Sequence, residues 1–393
     1  MAGLKHWVWL AETRIRGVSR LKLLRHFGTP EDIYYAAAED LLQVEGISAG
    51  EAKLLQNKDL NEADRILALC GEKGIRLLTV QDAAYPARLK NIYDPPCLLY
   101  LRGDMPEIDD GVSVAVVGTR ACTPYGEQVA EKLAFGLAQG GVTVVSGLAK
   151  GIDAAATRGA LRAGGHPIAV LGGGADVVYP RENRYLYEDV AARGALISEY
   201  PPGTEPKAEH FPVRNRIIAG LSLATLVVEA PRKSGALITA HEALEQGRDV
   251  FAVPGAIDAP CSAGCNELIR EGAFLITGAQ DILREYAEAY PAVISVQSAG
   301  ENVETIGHAE EERRPQSASA ALPTIALSEN DFSDDQIAVL QVLREEEGLE
   351  VDDIADLADL TVRRVLSALT WLGVEGYTAE DPGKRFRRTV HIK

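Results

Sequence analysis

Short apolar runs alternate with helical patterns through the middle of the chain. The runs are Val112–Val117, Val142–Ser146, Pro167–Leu171, Ala195–Ser198, Ala224–Val228, Val250–Val253 and Ala273–Ile276. Apolar residues at helical spacing separate most of these runs. Strands that alternate with helices form a mainly parallel sheet with helices on both faces. The pattern therefore predicts a doubly wound α/β domain, in which ligands bind beyond the carboxyl ends of the strands.

The first 80 residues have a helical pattern with a weak internal repeat. Gly17-Val18-Ser19 precedes Arg20–Leu24, and Gly46-Ile47-Ser48 precedes Ala49–Leu55. In each copy the glycine permits a tight turn and the serine can cap the next helix. Two helices joined in this way form a helix-hairpin-helix, whose backbone N–H groups can hold a DNA phosphate. Two ordinary capped helices fit the same pattern. We expect a helical domain of helix-hairpin-helix or SAM-like type over residues 1–80.

The end of the chain predicts a second small domain. Helices are expected over Asp335–Glu345, Val351–Ala358 and Thr361–Leu372, followed by a β-hairpin from Tyr377-Thr378 and Arg387–Ile392. This order of elements resembles a winged helix over residues 331–393. Residues 291–330 lack periodicity and are rich in small and charged residues, which predicts a flexible linker.

Charge is unevenly distributed along the 393 residues, whose formal net charge is -17. Residues 1–30 hold six Lys or Arg and one acid, whereas residues 331–360 hold eleven acids and one Arg. Binding to a polyanion depends on a local patch rather than on the total charge. The composition therefore argues against nucleic-acid binding over the whole surface, but it is compatible with a basic site that is confined to one patch.

The five cysteines are scattered, and Cys261 and Cys265 form a C-x3-C pair without a second ligand pair. We therefore expect neither a zinc site nor a disulfide framework. The start of the chain lacks the pattern of a signal peptide, and no apolar run reaches membrane-spanning length. These features together predict a cytoplasmic protein.

Four of the predicted strands end in turns of glycine or serine, often beside a basic residue. The turns are Gly118-Thr119-Arg120, Ser146-Gly147 with Lys150, Gly172-Gly173-Gly174, and Ser234-Gly235. Glycine lets a backbone approach an anion, and helix N-termini direct N–H groups at it. Each turn alone is weak evidence, because glycine-rich turns are common for steric reasons. Their convergence on one edge predicts a single anion site.

The run from Phe211 to Ser222 places two guanidinium groups and an amide within three residues, Arg214, Asn215 and Arg216. Arginine forks match phosphate oxygens. Helix capping or pairing with surface carboxylates explains the same residues. Tyr125, Tyr179 and Phe211 are candidates for stacking on bases, with core packing as the alternative.

Several chemistries are not supported by the motifs. The first turn is not G-x-G-x-x-G, no P-loop sequence exists, and Ser146 is not in a G-x-S-x-G elbow. The acids near strand ends, Asp153, Asp176 and Glu229, are expected to pair with arginines rather than to bind metal. We therefore predict no catalytic residue, cofactor or metal. Many phosphate contacts without evident chemistry fit a polymeric ligand, single-stranded DNA or RNA.

Together the motifs resemble the DNA-processing protein A family (DprA, also called Smf). The matching segments are Val117–Arg120, Ser146–Asp153, Leu171–Gly174, Tyr179–Asn183, Phe211–Ser222, Ser234–Thr239 and Val253–Gly255. They fall in the expected order between about residues 80 and 290, while the two ends of the chain match more loosely.

The resemblance implies an extended Rossmann-like domain over residues 81–290 that dimerises and holds DNA in its glycine-rich pocket. It implies a cytoplasmic, non-enzymatic protein that binds single-stranded DNA during natural transformation. Such a protein protects incoming strands, displaces single-strand-binding protein and loads a RecA-type recombinase. The candidate DNA-binding residues are Gly118, Thr119, Arg120, Ser146, Gly147, Lys150, Gly172, Gly173, Gly174, Asn183, Phe211, Arg214, Asn215, Arg216, Ser234 and Gly235.

Two other functions remain open at this point. A lysine-decarboxylase-like nucleotide phosphoribohydrolase has a similar sheet and a P-G-G-x-G-T-x-x-E motif. The nearest counterpart here is the degraded run Lys233–Thr239 with Glu242. The third possibility is a scaffold whose ends bind partners while the central pocket holds only a phosphate.

Overall fold

The computed structural model forms two compact units, Met1–Glu304 and Thr305–Lys393. It describes residues 2–295, 324–325, 332–344, 348–374, 377–381 and 385–392. Most of the predicted linker, residues 296–323 and 326–330, lies outside the described residues. Among the helices that the structure describes, none is both long and apolar enough to span a membrane.

A nine-stranded sheet forms the centre of the first unit. Its strands are β1 (Arg76–Thr79), β2 (Leu98–Gly103), β3 (Ser113–Val117), β4 (Thr143–Ser146), β5 (Ile168–Leu171), β6 (Ala195–Ser198), β7 (Ala224–Val227), β8 (Asp249–Ala252) and β9 (Phe274–Leu275). Their order is β1-β2-β6-β5-β4-β3-β7-β8-β9. Strands β3 to β9 pair in parallel, and β2 and β1 extend the β6 edge in antiparallel pairing. The prediction of a mainly parallel, doubly wound sheet is confirmed.

Alternating residues of β3 enter two different cores. The helices that cover the sheet are α8 (Pro124–Gln139), α9 (Ile152–Arg162), α10 (Arg184–Arg193), α11 (His210–Gly220), α12 (Gly235–Glu245), α13 (Ala263–Arg270) and α14 (Ala279–Ala287). Val114 and Val116 pack with α8, α9 and α14, whereas Ala115 and Val117 lie in the core that contains α11, α12 and α13. Because both faces are buried, these strands appear in the sequence as continuous apolar runs.

The N-terminal helices pack into the same core as one face of the sheet. They are α1 (Ala2–Glu12), α2 (Gly17–Phe27), α3 (Pro30–Tyr35), α4 (Ala38–Gln43), α5 (Ala49–Leu55) and α6 (Asn61–Lys73), and a short α7 (Ala87–Lys90) follows β1. Leu10 and Leu23 belong to the core that also contains Leu99 of β2. The expectation of helix throughout residues 1–80 missed β1, because a four-residue edge strand carries too little periodic signal.

Glu51 joins the two copies of the predicted repeat. Its carboxylate accepts hydrogen bonds from Ser48 Oγ at 2.9 Å, Ser19 Oγ at 2.7 Å and Arg16 Nε at 3.0 Å. The bonds from Arg16 hold the pKa of Glu51 far below its usual value. Ser48 caps α5 as predicted, but Ser19 lies inside α2 and serves as a donor to Glu51 instead. Gly17 begins α2 rather than forming a turn, whereas Gly46 has φ +85°.

The second unit has the element order expected of a winged helix. It contains β10 (Thr324–Ile325), α15 (Asp334–Val342), β11 (Leu349–Glu350), α16 (Val351–Ala358), α17 (Val362–Val374), β12 (Thr378–Asp381), β13 (Arg385–Arg388) and β14 (His391–Ile392). β13 lies between β11 and β12 in a three-stranded sheet, and β10 pairs with β14. The three helices occur where they were predicted. β12 is longer than the predicted Tyr377-Thr378, β13 begins two residues before the predicted Arg387, and the two-residue β11 was missed.

Replacing Glu51 by Gln is expected to lower the free energy of unfolding by about 2 kcal/mol, because charge-assisted hydrogen bonds are lost from a buried network. Folding lowers the pKa of Glu51 below its ordinary 4.5, so its stabilisation is complete above that value and is lost as the pH falls. Denaturant unfolding at neutral and acidic pH measures both effects. Glu39→Gln, at an exposed position of α4, is the matched control. Equal stability of the two variants would contradict the role of Glu51.

Candidate functional site

The direction in which the strands are added to the sheet reverses between β3 and β7. From β3 the chain continues to β4 on one side, and from β7 it continues to β8 on the other. In open α/β sheets the crevice between two such loops is where ligands bind. A cavity of about 350 Å³ lies there, lined by Val117–Arg120, by Ala149 and Asp153, by the first turns of α11, and by residues between Pro231 and Thr239. We call it the switch-point cavity.

Most of the predicted site residues meet in this region. The cavity lining includes Gly118, Thr119, Arg120, Phe211, Arg214, Asn215, Ser234 and Gly235. A smaller adjoining recess is lined by residues that include Gly147, Gly172, Gly173 and Tyr179, and it shares Phe211 and Ala149 with the cavity. The structure therefore brings all four predicted glycine or serine turns to one edge of the sheet. Ser146, Lys150, Gly174, Asn183 and Arg216 line neither space.

Most of the glycines allow close packing within the protein. A Cβ on Gly147 would collide with the guanidinium of Arg214, one on Gly172 with the ring of Phe211, and one on Gly118 with Ile152. Gly235 differs, because no atom lies within 4 Å of its Cβ position. It begins α12, which Ser234 caps by accepting a hydrogen bond from Ala236 N at 3.3 Å. The first turn of α12 is therefore open to a ligand from the cavity.

Arg120, Phe211 and Tyr179 form a row that runs from the cavity to the adjoining recess. The guanidinium carbon of Arg120 lies 4.6 Å from the centroid of Phe211, and the Tyr179 and Phe211 centroids are 5.7 Å apart. Arg120 is exposed and has no carboxylate partner in the described part of the chain. A cation beside an aromatic ring lets one site contact a phosphate and a flat base at the same time.

Arg214 is buried beneath the cavity and bonds to backbone carbonyls. Its Nη1 donates to Gly147 O at 3.0 Å and to Val170 O. Asp153 accepts from Gly147 N at 3.2 Å, so the two side chains hold the same loop. Burial lowers the pKa of Arg214 to about 10 and raises the pKa of Asp153. Although Arg214 lines the cavity, these bonds assign it mainly to holding the loop after β4.

Arg216 does not reach the cavity, which corrects its place in the predicted site. Residues two apart on an α-helix point about 200° apart, so Arg214 and Arg216 face opposite sides of α11. The Arg216 guanidinium lies 2.9 Å from Glu199 and 3.6 Å from Asp94. Burial opposes its charge, but Glu199 raises the pKa of Arg216 on balance.

The side chains of Ser146 and Asn183 also bond to backbone carbonyls of the protein. Ser146 is buried at the end of β4, and its hydroxyl donates to Val116 O at 2.8 Å. Asn183 Nδ2 donates to Leu148 O at 3.0 Å and to Ala149 O at 3.2 Å. These bonds hold the loop at Leu148, which has φ +53°. Asn183 therefore stabilises the loop at Leu148 and Ala149 without lining the cavity or the recess.

Lys150 lies outside the cavity on the same loop. Its Nζ lies 2.6 Å from Glu182 Oε1 in an exposed ion pair, and the bond from Lys150 lowers the pKa of Glu182. A phosphate group can compete for Lys150, because exposed ion pairs contribute little stability.

Lys233 is the main cavity residue that the sequence-based site omitted. It lines the cavity directly before the cap of α12, is exposed, and has no carboxylate partner among the described residues. The available signal was a basic residue immediately before Ser234 and Gly235.

In the described part of the chain, no cluster of His, Cys, Asp and Glu has the arrangement of a metal site.

Comparisons with known proteins agree with these motifs. Residues 76–287 match the family model described as DNA recombination-mediator protein A. The DNA processing protein DprA of Bacillus subtilis is 46% identical over 57% of this chain and 75% of its own length. Protein Smf of Synechocystis is 37% identical, with 99% of this chain and 100% of that protein covered.

Solved structures show the same architecture. DNA processing protein A of Streptococcus pneumoniae superposes with a TM-score of 0.63 at 37% identity, covering 71% of this chain and 97% of that one. The protein from Helicobacter pylori, for which a single-stranded DNA binding mode has been described, has a TM-score of 0.50 at 31% identity. It covers 55% of this chain and 97% of its own.

The arginines of the site are expected to separate into two classes by stability. Arg214→Ala and Arg216→Ala should each lower the free energy of unfolding by about 3 kcal/mol, because each leaves buried polar groups or carboxylates unpaired. Arg120→Ala should change it by less than about 0.5 kcal/mol. Chemical denaturation of the three variants measures this difference. A loss for Arg120→Ala as large as the other two would contradict the assignment.

Proposed function

Since the chain belongs to the DNA recombination-mediator protein A family, we propose that it binds single-stranded DNA in the switch-point cavity. The protein acts in DNA processing and recombination, the role of its family. The observation that carries the proposal is the row of Arg120, Phe211 and Tyr179 at a cavity with an open helix N-terminus. The single-stranded DNA binding mode of the Helicobacter pylori relative supports it.

The proposed contacts divide into phosphate and base contacts. Arg120, Lys233 and the first turn of α12 provide positive charge and N–H donors for phosphate oxygens. Phe211 provides a ring on which an unpaired base can stack. A base in a duplex is already stacked on both faces and cannot reach a ring set into a cavity. The arrangement therefore favours a single strand and requires no particular sequence.

We propose a binding protein rather than an enzyme. Asp153 is the acid that lines the cavity, and it is occupied by the backbone of the loop after β4. Glu242, the acid of the phosphoribohydrolase alternative, does not line the cavity. Neither residue is placed as a free general acid or base. Release of free base from nucleoside monophosphates would contradict this proposal.

The family further implies partners, which we propose for this chain. These are a RecA-type recombinase, which the protein loads, and single-strand-binding protein, which it displaces while protecting incoming strands in the cytoplasm during natural transformation. A cavity that encloses only a short part of a strand leaves the rest accessible to a second protein. That property is required of a loading factor.

A homodimer is also proposed, through the β9 edge of the sheet. Phe274 and Leu275 of β9 are 47% and 51% exposed, and β9 pairs with β8 on one side. An apolar edge strand can pair with a second copy of itself about a two-fold axis. Such pairing places two cavities on one assembly. Sedimentation analysis tests the homodimer, and the expected mass is that of two chains.

Loss of the free cations is expected to weaken DNA binding without loss of folding. Arg120→Ala and Lys233→Ala should each weaken binding of oligothymidylate by about fivefold or more, because each removes a phosphate contact. Each should also make the dependence on log salt shallower by about 0.7. Glu182→Gln should strengthen binding, because it frees Lys150. Fluorescence anisotropy across a salt series measures all three.

Lys132→Ala is the matched control, since it removes one charge from an exposed position of α8 outside the cavity lining. Binding by Arg120→Ala and Lys233→Ala that equals that of the control at every salt concentration would refute the proposed site. Equal affinity of the wild-type protein for single strands and duplex would refute the strand preference.

Recombinase loading is expected to depend on the same cavity. On DNA coated with single-strand-binding protein, the wild-type protein should shorten the lag before the DNA-dependent ATPase activity of a RecA-type recombinase begins. At the same protein concentration, Arg120→Ala should shorten the lag less than the wild type does, whereas Lys132→Ala should behave as wild type. If the wild-type protein leaves the lag unchanged, recombinase loading is refuted, while the proposal of DNA binding still stands.

A further inference from the structure

The switch-point cavity is too small to hold a long strand. Its volume of about 350 Å³ is near the lower end of the ~300–1,000 Å³ typical of pockets for small ligands. If it binds DNA as proposed above, the nucleotides on either side of the enclosed segment must lie on the outer surface of the protein. The surface beside the loop after β4 has suitable chemistry.

Two tyrosines are exposed at the N-terminal ends of neighbouring helices. Tyr125, in the first turn of α8, is 58% exposed, and Tyr185, in the first turn of α10, is 53% exposed. α9 lies between these helices, since Leu133 and Ala155 share one core and Leu161 and Leu186 share another. Because these helices follow parallel strands on one face of the sheet, all three begin at the edge where the cavity lies.

Arg158 of α9 connects the two ends of this surface. Its Nη2 donates to Glu127 Oε1 of α8 at 2.5 Å, and its Nε lies 3.5 Å from Glu131 Oε2 of the same helix. Burial opposes the charge of Arg158, but Tyr185 of α10 lies close enough to raise the pKa of Arg158 on balance. A single guanidinium therefore reaches from the first turn of α8 to the first turn of α10. Tyr125, Arg158 and Tyr185 lie in this order across three adjacent helices.

The same surface is continuous with the cavity. Ala149 lines the cavity, and the next residue, Lys150, pairs with Glu182 in the segment that leads into α10. Arg181 and Arg184 flank this pair, are exposed, and have no carboxylate partner in the part of the chain that the structure describes. Glu127 and Glu131 are matched by Arg158 and Arg162, and Glu182 is matched by Lys150. The two flanking arginines therefore add positive charge that these ion pairs do not neutralise.

We propose that Tyr125, Lys150, Arg158, Arg181 and Tyr185 form an outer track that binds the nucleotides extending from the cavity along single-stranded DNA. Alternating cations and exposed rings are the features that bind a strand without sequence preference, since every base has a face to stack on a ring. The inference rests on the proposed function and adds the path of the strand.

The test compares a short and a long oligothymidylate, of about six and about twenty nucleotides, by fluorescence anisotropy. A variant with Tyr125→Ala and Tyr185→Ala should bind the long strand about tenfold or more weakly, since each stacked base contributes ~1–3 kcal/mol. Its affinity for the short strand should change by less than about twofold, because the cavity is intact. Tyr185→Phe keeps the ring and should bind as wild type.

The matched control is a variant with Tyr35→Ala and Tyr93→Ala, two tyrosines that are 72% and 83% exposed elsewhere in the first unit. It should bind both strands as wild type. The outer track is refuted if the Tyr125 and Tyr185 variant keeps its affinity for the long strand. It is also refuted if the affinity of this variant falls by the same factor for both strand lengths. If wild-type protein binds neither strand, the proposed function itself fails, which is a different result.

Discussion

The site depends on the hydrogen bonds that the buried guanidinium of Arg214 makes to the backbone. The guanidinium bonds to the carbonyls of Gly147 and Val170, at the ends of β4 and β5, while it is carried by α11. The same helix carries Phe211 and Asn215 into the cavity. Burying a cation is costly, and here the two carbonyls and the nearby charge of Asp153 offset that cost. One side chain thus sets the distance between α11 and the loops opposite.

Arg216 holds the other side of the same helix. Its ion pairs with Glu199 and Asp94 connect α11 to β6 and to the segment before β2. α11 is therefore held on both sides by arginines, the buried Arg214 and the partly buried Arg216. Within the switch-point cavity, the cations left for a ligand are the exposed Arg120 and Lys233. A protein with a net charge of -17 can in this way present a local positive site whose limits are set by its structure.

The sequence predicted the strands and the meeting of their glycine turns, because apolar runs and turn residues are local signals and parallel strands share an edge. It could not separate Arg214 from Arg216, since their roles depend on the phase of α11 and on carboxylates distant in sequence. The basic N-terminal stretch shows the same limit. Arg16 pairs with Glu51, and Arg20 bonds to Leu10 O and Thr13 O, so both stabilise the helical region itself.

The most direct test of the central claim is a crystal structure of the full chain with a short oligothymidylate. We expect phosphate oxygens within hydrogen-bonding distance of Arg120 and Lys233, and a base stacked on Phe211 in the switch-point cavity. The positions of Arg214 and Arg216 should be unchanged. A strand bound to the N-terminal helices or to the second unit, with none in the cavity, would contradict the account.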